Sequence, residues 1–432
     1  MWSDGFQRYN TPISKIFSVE NKLKIQMRIE SVLAEVQEEL GMIPQGIADA
    51  IREASSRVTS ERVSEIEREI HHDLMAMVKA LAEQAGDAGE YIHNTATSMD
   101  IQDTVLALQM TEAKRVLLET GSELLEVLKN IARKYRNQPI LGRTHGQFAV
   151  PTTVGFKFAN FLFEMHYALE NLSHAPTELS KFSGAVGNYA SSHRLDIERM
   201  VLDKLGLKPV LISTQVITRL VHSEFMFGLT QVSAVIERIS KEIRHLQRSE
   251  IGEFFEPRSN KQVGSSAMPH KRNPHKSERL NGLARMLRAN ISVSFENIAL
   301  EHERDLTNSA VERLSIPSSV VILHYMMLQA ISLLSNLEVN VENINRNLNR
   351  ASASKSEQIL LLLIDKIGRQ AGHELLRKHV GAENFREAVM EDPEILKYID
   401  RKSLEEVFDR IDIGLSPEKV DEVIRYVESH PL

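Results

Sequence analysis

Residues 101–135 constrain the fold more than any other part of the chain. The stretch holds no proline, and Val105, Leu108, Leu117, Leu124, Leu128 and Ile131 recur at spacings that turn them toward one core. At 1.5 Å per residue, such a helix runs on the order of 50 Å. Comparable segments follow at residues 153–174, 222–250, 275–301 and 316–348, and five long helices in succession predict an elongated bundle. With only 20 Gly and 13 Pro in 432 residues, and few alternating Val/Ile/Thr runs, the remainder is expected to be helical too.

Before this bundle, Leu23, Met27, Leu33, Val36 and Leu40 form a helical stripe that stops at Gly41, a residue suited to closing a helix. After it, shorter amphipathic segments are broken at Gly368, Gly381 and Pro393. The expected architecture is all-α, with three helical domains at 1–98, 99–349 and 350–432, the second being the central long-helix bundle. Phe156, Phe158, Phe161, Phe163 and Tyr167 cover more than one face of their helix, so neighbouring subunits are expected to bury the surplus.

A formal net charge of −7 argues against a nucleic-acid partner, because neutralising a phosphate backbone needs a basic face. The chain has no cysteine, which excludes disulfides, thiolate nucleophiles and sulfur-ligated metals. The opening Met1-Trp2-Ser3-Asp4-Gly5 lacks the basic-then-apolar pattern of a leader, and no apolar run approaches the ~20 residues a bilayer requires. A cytoplasmic protein without a membrane partner is expected.

Chemistry concentrates in Gly264-Ser265-Ser266-Ala267-Met268-Pro269-His270-Lys271-Arg272-Asn273-Pro274. Two hydroxyls, an ammonium and an amide share one glycine-containing loop, and consecutive loop N–H groups can cradle an anion. Asn273 and Pro274 read as the cap and first residue of a helix whose positive dipole end faces the same place. Gly142-Arg143-Thr144-His145-Gly146-Gln147 falls in a break between helical stretches, and its histidine is a general-acid candidate. His71-His72-Asp73 makes a poor metal site, because adjacent helical histidines diverge by about 100° whereas zinc helices use i and i+4. Thr97-Ser98-Met99-Asp100 reads by itself as a capped helix start.

The serine loop resembles the signature of the fumarase/aspartase superfamily, and its Met-Pro-His-Lys-Arg-Asn-Pro form is similar to that of the adenylosuccinate lyases within it. The resemblance runs from about Arg8 to Arg313, and more loosely beyond. It implies a carbon–nitrogen lyase that eliminates fumarate from adenylosuccinate, and from the succinylocarboxamide ribonucleotide of aminoimidazole in purine biosynthesis. It also implies a homotetramer with shared active sites and no cofactor or metal. Carried over residue by residue, Ser265 is the base, His145 the acid, and Lys271 and Asn273 stabilise the carbanionic intermediate. His72 and Asp73 contact substrate and orient the acid, and His71 and Ser266 bind substrate too. Thr97 and Ser98 hold the succinyl carboxylates, and Gln215 and Arg279 touch substrate. Arg304, Ser309 and Arg313, with Arg8 and Tyr9, hold the phosphate and sugar of a small-molecule nucleotide. Arginine suits that task because its planar fork donates two hydrogen bonds and keeps its charge.

Met99, Val150, Thr218, Leu220 and Glu301 depart from the family pattern, although none coincides with the implied acid, base or phosphate arginines. A cycloisomerase sharing the serine loop without the nucleotide, and a helical scaffold without activity, are the rival readings. The phosphate arginines argue against the first and the intact His145, Ser265, Lys271 and Asn273 set against the second.

Overall fold

The computed structural model describes residues 4–258, 268 and 271–432. The 21-residue α1 (Val19–Glu39) is followed by the shorter α2 (Ile47–Ser55), α3 (Ser60–Ile70) and α4 (Asp73–Ala85). The 37-residue α5 (Ser98–Lys134) leads into a hairpin of β1 (Pro139–Thr144) and β2 (Gln147–Thr153). Then come α6 (Val154–Ser173), α7 (Leu195–Leu205), α8 (Leu220–Leu246), α9 (His275–Glu296) and α10 (Thr307–Ser335). Helix α11 (Val341–Arg350) and shorter helices from Ser356–Ile367 to Ser416–Ser429 complete the chain.

The all-α expectation holds, with five long helices near the anticipated places. Successive long helices are neighbours. Gly121 of α5 lies so close to Leu169 of α6 that a Cβ there would stand 2.6 Å from the leucine side chain. Lys157 of α6 pairs with Glu242 of α8 at 2.6 Å. Asn281 of α9 donates to the Glu237 carbonyl and Ser240 Oγ of α8, and Asn290 donates to Ser318 and Ser319 of α10.

Two expectations need correction. The sequence pattern puts the fifth helix at 316–348, but α10 starts at Thr307 and keeps Pro317 in its interior, giving up one backbone hydrogen bond there. It ends at Ser335, where Glu338–Val339 pairs antiparallel with Phe254–Phe255 and the Asn340 side chain caps α11. Helix α10 is also apolar and long enough to cross a bilayer by those criteria alone, against the expectation that no apolar run reaches that length. Interspersed serines and His324 break the run in the sequence. In the fold, 72% of its most apolar window is buried inside the protein.

By contacts, the chain divides into two compact units, and the division falls within each of the five long helices. The first comprises 1–121, 168–234 and 282–328. Its N-terminal core gathers Leu23, Met27, Leu33 and Val36 of α1 with Ile51, Leu74, Leu81 and Ile101. Gly41, at φ 69°, closes the region after α1 as its sequence position suggested. The second comprises 122–167, 235–281 and 329–432, with a C-terminal core around Ile359, Leu363, Val389, Ile395 and Leu404.

At the start of α6, Gly155 donates its N–H to the Tyr135 carbonyl at 2.9 Å, and an added Cβ would meet the Ala132 carbonyl oxygen at 2.5 Å and Arg136 backbone at 2.6 Å. Backbone cannot swing aside as a side-chain tip can. Gly155→Ala should therefore destabilise the fold by ~1–3 kcal/mol, read as a lower midpoint in urea denaturation.

Candidate active site

The first unit brings four separate stretches together around one buried carboxylate. Asp100 is 1% exposed and receives the Lys181 ammonium at 2.6 Å, along with the N–H groups of Thr97, Ser183 and Gly184. Its return bond to Thr97 is half of a capping box, which fixes Thr97 and Ser98 at the head of α5. Ser183 Oγ then meets Ser213 Oγ at 2.8 Å, and Gln215 Nε2 donates to the Ala185 carbonyl at 2.9 Å. Arg304 Nη1 donates to Gln215 Oε1 at 2.6 Å.

Beside this frame lies a cavity of about 550 Å³ lined by His71, His72, Asp73, Ser98, Arg304, Ser309 and Arg313, all named by the sequence. The two histidines do not lie on one helix, as the sequence reading took them to, but at the junction of two. His71 closes α3 at φ 56°, His72 is extended, and α4 begins after them. His72 Nδ1 accepts from the Met75 N–H at 3.3 Å, so in the neutral ring the proton sits on Nε2.

Charge in the cavity is nearly balanced. Arg313 Nη2 donates to Asp73 Oδ2 at 2.9 Å, and Lys22 Nζ lies 3.7 Å from the same atom. Burial would push the Asp73 carboxyl up, but these two cations, together with the Leu74 N–H and His72, hold it below the usual carboxylate range. Burial lowers Lys22 despite Asp73. Arg304 is also lowered, chiefly by burial, and its Nε is buried with no partner among the described residues.

Lys22, Asp103, Arg219 and Glu312 line the cavity as well, and sequence reasoning passed over all four. A signal existed: Asp103 precedes Leu117 by 14 residues and Leu124 by 21, which puts it in phase with the apolar stripe of α5, and Arg219 interrupts the apolar run from Val216 to Val221. Of the other named residues in this unit, Arg8 is exposed and Tyr9 packs edge-on against Tyr325 with ring centres 5.1 Å apart.

The second unit carries His145, Lys271, Asn273 and Arg279. His145 and Gly146 form a two-residue hairpin loop with φ 53° and 76°, as a type I′ turn requires, and His145 is exposed at its tip. Gly142 marks a bulge where a Cβ would meet the Val150 carbonyl oxygen at 2.6 Å. Two residues before the tip, Arg143 forks onto buried Glu253 at 2.7 and 2.9 Å. Ser265 and Ser266 lie outside the described residues.

The start of α9 differs from the expected Asn273 cap. The first intrahelical bond runs from Glu278 N–H to the Pro274 carbonyl, one residue later than anticipated. The N–H groups of Lys276 and Ser277 donate to buried Glu256 at 3.1 and 2.6 Å, so the protein's own carboxylate meets the helix dipole. A cap reaching across twenty positions leaves no local signature. Among the described residues, no group of three or more His, Asp or Glu side chains is arranged to hold a metal ion.

A family described as lyase matches residues 5–288, and the chain is an enzyme of that class. The fold is similar to a fumarate lyase from Mesorhizobium sp. BNC1, with TM-score 0.88 and 25% identity over 98% of this chain and 99% of that one. It is equally similar to a 3-carboxy-cis,cis-muconate lactonizing enzyme from Pseudomonas putida, with TM-score 0.88 and 24% identity over 99% of each chain. Adenylosuccinate lyases from Pyrococcus horikoshii and Thermotoga maritima are 43% and 39% identical, covering 96% and 93% of this chain and 95% of each of theirs. The chain belongs to the adenylosuccinate lyase family of these enzymes.

The loop before Thr97 offers a test by pH. His93 Nδ1 lies 2.8 Å from Glu30 Oε1, which is fully buried. Burial would lower His93, but the hydrogen bond and charge of Glu30 outweigh it and hold the imidazole above 6.5. Stability from this pair is fully present below the unfolded pKa of about 6.5 and is lost as pH rises through the raised folded value. The melting-point gap between wild type and His93→Gln should be widest at acidic pH and narrow on the alkaline side. Calorimetry across that range measures it.

Proposed function

We propose that the chain catalyses β-elimination of fumarate from adenylosuccinate, leaving AMP, and from the succinylocarboxamide ribonucleotide of aminoimidazole. The observation that carries this reading is the cavity of the first unit, where Arg304, Ser309 and Arg313 stand with Ser98 and His72. A lyase for small succinyl acids alone has no use for such a phosphate clamp. The identity of 43% to an adenylosuccinate lyase, against 24% to the muconate lactonizing enzyme, supports the same choice.

In this mechanism Ser265 removes the proton from the carbon next to a succinyl carboxylate. A C=C bond forms as the C–N bond breaks, and His145 protonates the departing nitrogen. Lys271 and Asn273 stabilise the aci-carboxylate, with Ser266 and Arg279 against the substrate. A serine hydroxyl is a weak base in water, so the neighbouring ammonium and loop amides must favour its alkoxide in a water-poor site. Thr97 and Ser98 receive the succinyl carboxylates. His72, with its Nε2 proton, His71, Asp73 and Gln215 orient the substrate, and Arg8 and Tyr9 join the arginines at the phosphate and sugar.

The reading includes a cytoplasmic homotetramer with sites shared between chains. A phosphorylated nucleotide does not cross a bilayer unaided, which favours the cytoplasm. Exposed Phe156, Phe163 and Tyr167 on α6, and Phe148 and Val150 beside the exposed His145, supply apolar surface for partner subunits to cover.

Fumarate release from adenylosuccinate, with muconate substrates as controls, tests the reaction. Arg304→Ala or Arg313→Ala should raise KM for phosphorylated substrates by about 10- to 100-fold, since a charge-assisted contact is worth ~1.5–3 kcal/mol, and barely affect the dephosphorylated succinyl nucleoside. Equal loss on both substrates would remove the nucleotide reading. For the shared site, inactive His145→Gln and Ser265→Ala proteins should regain activity when mixed, because hybrid tetramers contain sites with neither lesion. Confirmed subunit exchange without recovery would refute that architecture.

A further inference from the structure

One guanidinium in the first unit is buried between two carboxylates, and none of the roles above uses it. Arg219 is 2% exposed. Its Nη1 and Nη2 donate to the two Asp103 carboxylate oxygens at 3.0 and 2.9 Å, and its Nε and Nη2 donate to those of Glu312 at 3.0 and 3.2 Å. Nη1 also reaches the Ile217 carbonyl at 3.1 Å, and Asp103 Oδ2 accepts the Ile217 N–H at 2.9 Å. The planar fork is saturated, and Lys could not reproduce it. Glu312 is held in turn by Asn308 Nδ2 at 3.1 Å and His222 Nδ1 at 3.3 Å.

The positions of the three charged residues along the chain give the arrangement its meaning. Asp103 lies on α5 just beyond Ser98. Arg219 follows Gln215 on the segment entering α8. Glu312 sits on α10 between Ser309 and Arg313. Each arm of the cluster leads to a different group that the proposed function assigns to the substrate.

We propose that Arg219 is a positioning residue for the elimination, a hub whose two-carboxylate fork sets the spacing between the succinyl-binding end of α5, the Gln215 loop and the phosphate-binding turn of α10. The inference rests on the substrate contacts of the proposed function. Bonds between rigid helices define distance, whereas charge alone does not. Two variants that keep every charge but change reach or geometry separate these possibilities.

In Glu312→Asp the Asp103–Arg219 arm stays intact and only α10 loses its tie. KM for the phosphorylated substrate should rise about tenfold, while KM for the phosphate-free succinyl nucleoside rises less than threefold, with kcat for each nearly unchanged. In Arg219→Lys the whole fork is lost, and KM should rise at least tenfold for both substrates. Fumarate release measured on protein shown to be folded by circular dichroism gives these values. KM within twofold of wild type in folded Glu312→Asp, or an equal rise on both substrates, overturns the hub even if Arg219→Lys fails to fold. Arg313→Ala serves as the reference. If it discriminates the two substrates and Glu312→Asp does not, the hub is wrong. If Arg313→Ala itself does not discriminate, the phosphate assignment is wrong.

Discussion

A carboxylate with almost no solvent contact must have its charge met by the protein, and around Asp100 that requirement organises the neighbouring chain. An unpaired buried charge costs several kcal/mol. Lys181, itself fully buried, neutralises this one at 2.6 Å, and three backbone N–H groups complete its shell. Because those donors come from Thr97, Ser183 and Gly184, the electrostatic demand of one side chain joins the head of α5 to a loop more than eighty residues away. The contacts outward from Ser183 to Ser213, and from Ala185 through Gln215 to Arg304, all begin at this junction.

Magnitudes separate the arginines of the cavity into two kinds. Arg313 is 58% exposed in its pair with Asp73. Exposed pairs of this sort contribute about 0–1 kcal/mol, less than the ~1.5–3 kcal/mol of a charge-assisted contact to an anion, so Arg313 can turn toward a phosphate at little loss. Arg219 has no such latitude. Enclosed by Asp103 and Glu312, it would leave two buried carboxylates unpaired if it moved. One guanidinium is suited to binding and the other to building.

The long helices were legible because an apolar stripe repeated over many turns outweighs local noise, as in Val105, Leu117, Leu124 and Leu128 of α5, all now buried or nearly so. The grouping of His72, Asp73, Ser98, Arg304, Ser309 and Arg313 was legible only through family resemblance, since no local pattern links residues so far apart in the chain. What escaped was set by tertiary contacts. The sequence pattern begins the fifth helix at 316, yet the fold tolerates Pro317 inside a helix that starts at Thr307. Glu256 caps α9 from twenty positions away. Asp103, Arg219 and Glu312 are brought together only by the fold.

The hairpin that carries His145 acts as a ruler. A two-residue type I′ loop is the shortest connection the strands allow, and the Arg143–Glu253 fork pins β1 two residues short of the tip. The stand-off of the imidazole is therefore counted out in strand residues at about 3.3 Å each. Deleting one cross-strand pair would shorten the reach by roughly that amount, enough to break a hydrogen bond, and would also turn the flanking side chains to the opposite face. Length is thus the property of this element that sets where His145 stands. Substitutions that keep the strand length leave the tip at the same height.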